Sequence, residues 1–236
     1  MALDRRPSWG LLLLLLLLLS ALAPPSVVAI MHVRSTIRRG GTASSFKHIE
    51  VAMECYCQDH GCYPPQYLTD RHGRPAHSWR VLLLPYLGYG GLYCRYHFDE
   101  PWNGPHNRLL ATEMPEEYRS PFLGSGLTIT QYVGIAGEGT PWRGAAPLRA
   151  KDLERGESDP LIWYVEAANS DINWMEPRDI PLEQALVGIN VPGGRGVQSN
   201  YPDGLPAQMK PSGCRWIPPD IAPGRLRAML TVGPKR

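Results

Sequence analysis

The apolar pattern of the chain changes period three times. From Gly10 to Ala23 it is continuous, with nine leucines in a row from Leu11 to Leu19, behind a basic start at Arg5 and Arg6. A run without a polar face is no amphipathic helix. A basic start and a short apolar core describe an export segment, with small residues for cleavage at Ala21-Leu22-Ala23 or at Val27-Val28-Ala29. If the helix passes Pro24-Pro25, the apolar stretch reaches Met31 and is long enough to stay as a membrane anchor, for which ~20 residues suffice. Both fates fit the pattern. Residues 32–43 are polar and basic, and Gly40-Gly41 weakens any helix there. Ser44 or Ser45 suits the cap of a new helix. Phe46, Ile49, Met53 and Tyr56 then recur at spacings of three and four, an amphipathic helix ending near His60-Gly61 ahead of Pro64-Pro65.

Beyond this point short elements alternate with turn signals. Trp79–Leu84 is a compact apolar run stopped by Pro85. Leu127–Ile135 and Leu161–Ala167 read as strands, with turns at Gly137, Gly139, Pro192-Gly193-Gly194 and Asp203-Gly204, and Leu226–Leu230 reads as a last helical turn. The division is residues 1–31 as anchor or signal, 32–62 as basic linker and amphipathic helix, and 63–236 as a head domain. One helix followed by separated strands gives an α+β head with an antiparallel sheet. Gly and Pro number 24 each, about a fifth of the 236 residues against a usual ~12%. They are dispersed, which makes for long loops rather than a low-complexity tail.

Charge excludes one class. Lys and Arg total 24 against 22 for Asp and Glu, net +2, so no general attraction to nucleic acid follows. The five cysteines, Cys55, Cys57, Cys62, Cys94 and Cys214, would meet an oxidising compartment after export. Cys55 and Cys57 point about 200° apart on a helix, which disfavours a shared metal ion. Disulfides from Cys62 to Cys94 or Cys214 are the expected pairing, and an odd count leaves one thiol over. His97, Asp99, Glu100 and His106 gather two carboxylates and two imidazoles, but no nucleophile motif accompanies them, and local turn bonding by Asp99, Asn103 and Asn107 is the expected use. Glu166, Asp171, Glu176 and Asp179 could be read as oxygen ligands for calcium, yet the EF-hand spacing is missing. The glycines of 134–139 lack the Lys-Ser/Thr ending of a phosphate loop. Trp102, His106, Trp142 and Trp174 are the candidate interaction surface, since some of the seven tryptophans could line a glycan or peptide groove.

Specific text carries a family resemblance. Lys47–Pro65 reads KHIEVAMECYCQDHGCYPP, His77–Leu110 reads HSWRVLLLPYLGYGGLYCRYHFDEPWNGPHNRLL, and Met114-Pro115 follows. Thr130–Trp142, Leu161–Ile180 (with NWMEPRDI) and Leu226–Gly233 continue the pattern. From about residue 45 to the C-terminus the chain resembles the planctomycete-type bacterial prepilin-like proteins of domain-of-unknown-function family 1559. Two departures stand out. The prepilin peptidase signature, a small residue and then Phe-Thr-Leu-Ile-Glu, is absent, and Val191 occupies the place of a family histidine ahead of Pro192-Gly193-Gly194. The resemblance implies a pilin-like fold, a long N-terminal helix packed on an antiparallel sheet. It implies a non-enzymatic exported envelope protein, a pseudopilin-like or surface-scaffold component, without cofactor. Its partners would be the membrane through the N-terminal segment, copies of itself or other envelope proteins. A periplasmic ligand- or glycan-binding module and a metal-assisted hydrolase are the rival readings.

Overall fold

The computed structural model describes residues 9–152, 160–211 and 213–232, with residues 9–26 described as helical backbone. The chain divides into two compact units, residues 1–40 and 41–236. Arg5 and Arg6 of the expected export signal lie outside the described residues.

Helix α1 spans Trp9–His60. Its backbone runs on through Pro24-Pro25 and through Gly40-Gly41, so no new helix starts at Ser44 or Ser45. Packing explains the glycine that was expected to break it. A Cβ on Gly41 would stand 2.9 Å from Pro121 Cγ, so the missing side chain admits a close neighbour, at a propensity cost of about 1 kcal/mol. Within the first unit, Val27, Val28, Ile30, Met31, Val33 and Ile37 are all more than half exposed. Among the described residues no helix is long and apolar enough to cross a membrane, so the expected transmembrane helix finds no support there. The side chains of Leu14–Leu19 fall outside the description.

In the second unit the expected apolar face of α1 is real: Phe46, Ile49 and Met53 have no exposed surface. Each such burial is worth about 1.5–3 kcal/mol. After the left-handed Gly61 (φ 71°) come the antiparallel pair β1 (Tyr67–Thr69) and β2 (Pro75–Ser78). The run at Trp79 becomes helix α2 (Trp79–Leu82) and then a 3-10 turn over Leu84–Leu87. Helix α3 (Gly90–Arg95) follows. The main sheet is built from β3 (Tyr132–Ala136), β4 (Leu161–Glu166) and β5 (Ile180–Pro181). After α4 (Leu182–Val187) it is completed by β6 (Leu205–Lys210) and β7 (Gly213–Ile217), and α5 (Pro223–Leu230) closes the described chain.

The strand order is β5-β3-β4-β6-β7. All neighbours are antiparallel except β3 and β5, which run parallel. The fold is α+β, and the sheet is mixed rather than antiparallel. It is also covered on both faces. Phe46 meets Tyr132 and Tyr164 edge-on at 5.1 Å each, and Tyr164 donates to the Phe46 carbonyl at 2.7 Å. That cluster includes Leu161, Trp163 and Tyr164, whereas Ile162 and Val165 join a second one with α4 and α5. A register shift between Ile162 and Tyr164 lets two consecutive residues face the α1 side, as a β-bulge does.

Candidate functional site

Two sequence texts far apart in the chain meet in one buried centre. Ser78 caps α2, its hydroxyl accepting from the Arg80 N–H at 3.3 Å. The Arg80 side chain then turns inward with no exposed surface, and its Nη2 lies 2.6 Å from Asp179 Oδ1. The guanidinium also donates to the Tyr132 carbonyl through Nε (3.1 Å) and Nη2 (3.0 Å) and to Ser78 Oγ through Nη1 (3.0 Å). Asp179 accepts in addition from the Gly134 N–H at 2.9 Å and faces Trp79 Nε1 at 3.3 Å. The Arg80 Cζ sits 4.5 Å from the Trp79 ring centre. Four of the five guanidinium N–H groups and both carboxylate oxygens have protein partners, which is how a buried charge is tolerated. This centre ties α2 and β3 to the segment before β5. Chemically it holds a fold together and offers no open position.

A second saturated group shapes the loop from His97 to Asn107. The buried Asn107 accepts from the His97 N–H at 2.8 Å and donates to the carbonyls of His97 (2.7 Å), Pro101 (3.2 Å) and Glu100 (3.3 Å). Glu100 Oε1 accepts from the N–H groups of His106 (2.9 Å) and Asn107 (2.5 Å). Gly104 is required here, because a Cβ would come within 2.6 Å of Glu100 Cδ. Of the three residues expected to bond the turn, Asn107 does so, and Glu100, which was not expected to, shares the work. On the outside, His97 and His106 stack with centroids 3.7 Å apart and planes 2° apart. His106 Nε2 lies 2.8 Å from the Arg95 carbonyl, so that nitrogen carries the proton. No group of three metal-ligating side chains occurs among the described residues.

The four acidic residues of the proposed calcium reading are drawn to different partners. Arg178 pairs with Asp171 (2.9 Å) and Glu176 (2.7 Å), Asp179 is held by Arg80, and Glu166 lies buried elsewhere, accepting from Thr42 (2.8 Å) and Ser120. Burial raises the Glu166 carboxyl above its ordinary range despite these donors.

Two residues of the expected interaction surface are interior. Trp142 is 2% exposed and Trp174 is fully buried. Trp142 packs on Gly134 and tilts against Trp79 at 4.8 Å, its Nε1 donating to the Trp163 carbonyl. Trp174 stacks with Tyr118 and donates to the Ala111 carbonyl at 2.8 Å. Indoles whose N–H finds a carbonyl belong in a core. Trp102 and His106 remain partly exposed, with Trp102 leaning on the core.

All five cysteines are free thiols, so the expected bridge among Cys62, Cys94 and Cys214 is not formed in this structure. Cys94 is exposed on α3. Cys214 lies in β7, and burial pushes its thiol up to about 11. Cys62 instead lines an open cavity of about 590 Å³ with His60, Gly61, Pro147, Arg149, Ala150 and Lys151.

The Arg80–Asp179 centre was not singled out in the sequence beforehand. Its signal was present in the SWR and EPRD texts, which only the fold brings together.

These features describe an α+β protein whose most distinctive sequence positions are interior anchors. Residues 31–123 match the family model described as protein of unknown function (DUF1559), and the resemblance read from the sequence holds over that span. Lys47–Pro65 and His77–Leu110 fall inside the match, and the EPRD text falls outside it. No curated protein and no solved structure matches the chain.

Proposed function

We propose that this chain is a non-enzymatic cell-envelope protein of pilin-like build, held at the membrane by its N-terminal segment and working by association with copies of itself or with other envelope components. One observation carries the reading: along α1 the apolar residues Val27, Val28, Ile30, Met31, Val33 and Ile37 are exposed, and they continue the leucine run of Leu11–Leu19 in the same helix. So many large apolar side chains exposed on one stretch of helix are seldom left to water. The C-terminal part of the same helix lies on a sheet, a packing that supports the pilin-like reading. The burial of Trp142 and Trp174 removes two of the aromatics a glycan platform would use.

The test is fractionation of cells carrying the full chain and a chain lacking residues 1–31, with N-terminal sequencing and chemical crosslinking. The full chain should sediment with membranes, retain Leu11–Leu19 and form crosslinked oligomers. The shortened chain should lose both properties. Recovery of the full chain in the soluble fraction with Leu11–Leu19 intact, or cleavage after Ala23 or Ala29 with release, would overturn the anchor.

A further inference from the structure

Gln66 is fixed by its backbone and by one end of its side chain. Its N–H donates to the Gly144 carbonyl at 3.0 Å, and its carbonyl accepts from the Trp79 N–H at 3.1 Å. Its Oε1 accepts from the Gly144 N–H at 3.0 Å. Only the oxygen end of an amide accepts, so this last bond also settles where Nε2 lies. Gln66 is 8% exposed. Among the described residues its Nε2 donates to no acceptor, and it is not sealed inside the protein. Gln66 lines a cavity of about 410 Å³ together with Tyr67, Glu138, Trp142 and Arg143. A nearly buried amide donor left open to a cavity calls for a ligand oxygen.

The turn that carries the charged residues of this cavity is stitched shut. The Gly137 N–H donates to the Trp142 carbonyl at 3.1 Å. Thr140 Oγ1 donates to the Gly137 carbonyl at 2.8 Å and accepts from the Trp142 N–H at 3.2 Å. Glu138 and Arg143 each follow one of the two bonded residues, so both leave the neck of one turn. Their opposite charges line the same cavity, and neither makes an ion pair among the described residues. Gly144, at φ 85°, leaves room for Tyr67, because a Cβ there would stand 3.0 Å from the Tyr67 hydroxyl oxygen. Trp142 has its Nε1 on the Trp163 carbonyl, so it gives the cavity ring surface rather than a donor.

We propose that this cavity binds a free α-amino acid as its zwitterion. The ligand carboxylate takes the Arg143 guanidinium, a planar fork that suits two oxygens, with Gln66 Nε2 and the Tyr67 hydroxyl as further donors. The ligand ammonium goes to Glu138. Charge complementarity selects the class. A simple anion would face Glu138, a simple cation would face Arg143, and a neutral sugar would leave both without a counter-charge. An amino acid carries its two charges on adjoining carbons, as the neck of a single turn requires. The volume lies within the ~300–1,000 Å³ of small-molecule sites. All the lining residues belong to the second unit, so the site stands apart from the proposed membrane segment.

The experiment titrates the purified full chain by calorimetry with a panel of common L-amino acids, with glucose, and with the N-acetyl and amide derivatives of the tightest amino acid. At least one amino acid should bind. Each derivative should bind about 10-fold or more weakly, because it loses one charged contact. Arg143→Met should weaken the amino acid by a similar factor and remove the penalty on the amide derivative. Glu138→Gln should do the same for the N-acetyl derivative. Gln66→Met should weaken the amino acid. Glu138 and Arg143 are exposed, so their variants decide the matter whether or not Gln66→Met folds. Binding by no amino acid of the panel, equal binding of an amino acid and its derivatives, binding of glucose in place of amino acids, or unaltered affinities in the Glu138 and Arg143 variants overturns the proposal.

Discussion

Asp179→Ala should be among the most damaging single substitutions in the chain. The carboxylate accepts from Arg80 at 2.6 Å and from the Gly134 N–H at 2.9 Å, and it faces the Trp79 indole at 3.3 Å. Removing it leaves a guanidinium with no exposed surface and no counter-ion. Breaking a buried pair in this way costs about 3–5 kcal/mol, a large part of the ~5–15 kcal/mol that holds a domain folded. With urea m-values of about 1–3 kcal/mol/M, the unfolding midpoint of the full chain should fall by ~1 M or more. The second arm is Arg80→Met with Asp179→Leu. Replacing both charges by apolar groups should recover most of the loss, because the desolvation of the pair offsets much of its attraction. A loss under ~1 kcal/mol for Asp179→Ala, or a double variant that loses the sum of the singles, would refute the reasoning.

The other predictions concern smaller parts of the core. Burial holds the Glu166 carboxyl above its ordinary 4.5, so the folded state binds this proton more tightly than the unfolded one. Its contribution to stability is therefore greatest below 4.5 and declines as pH rises through the raised folded value. Glu166→Gln should flatten that decline in urea midpoints taken across the window, and an unchanged slope would assign it to another group. In Gly134→Ala the new Cβ stands 2.6 Å from Trp142 Cδ1, an overpacking cost of about 1–3 kcal/mol. That corresponds to ~2–4 °C per kcal/mol in thermal melting for a chain of this size, and an unshifted melt would count against the packing. Asn107→Ala leaves the His97 and Pro101 carbonyls short of a donor, which costs about 1–3 kcal/mol. Limited proteolysis between His97 and Asn107 should accelerate, and an unchanged cleavage rate would show that the loop is held by Glu100 alone.

What the sequence disclosed followed from periodicity, and what it hid followed from contacts distant in the chain. Phe46, Ile49 and Met53 announced a buried helix face by spacing alone, and Gly61 announced its end. Leu161–Glu166 was legible because six consecutive apolar-rich positions suit a strand buried on both faces. The strand reading of Leu127–Ile135 was half right: only Tyr132–Ala136 forms β3, and Ile129 makes a single bridge to Asn173. β6 was hidden by Pro206, which reads as a strand breaker. The ladder accommodates it because pairing with β4 ends at Ala207, leaving Pro206 opposite Trp216 of β7 only. The parallel β5 is two residues long and gives no periodic signal. Gly41 misled because its reason is Pro121, eighty residues away.

The same comparison bears on where function can reside. Ser78, Arg80, Glu100, Asn107, Trp142, Trp174 and Asp179 supply much of the distinctive text, and each is spent on an internal partner. A ligand competing for any of them would first have to break bonds whose loss leaves a buried polar group unpaired, at about 1–3 kcal/mol apiece. This distinctive text therefore reports how the head is held together. The proposed association would use positions left to the surface. On the proposed reading these include the α1 stretch from Val27 to Ile37. From Trp9 to Ile49 the helix carries no Asp or Glu while Arg34, Arg38 and Arg39 follow the apolar run. Apolar surface followed by cations suits an anionic phospholipid interface, where each basic residue adds about 1 kcal/mol of attraction.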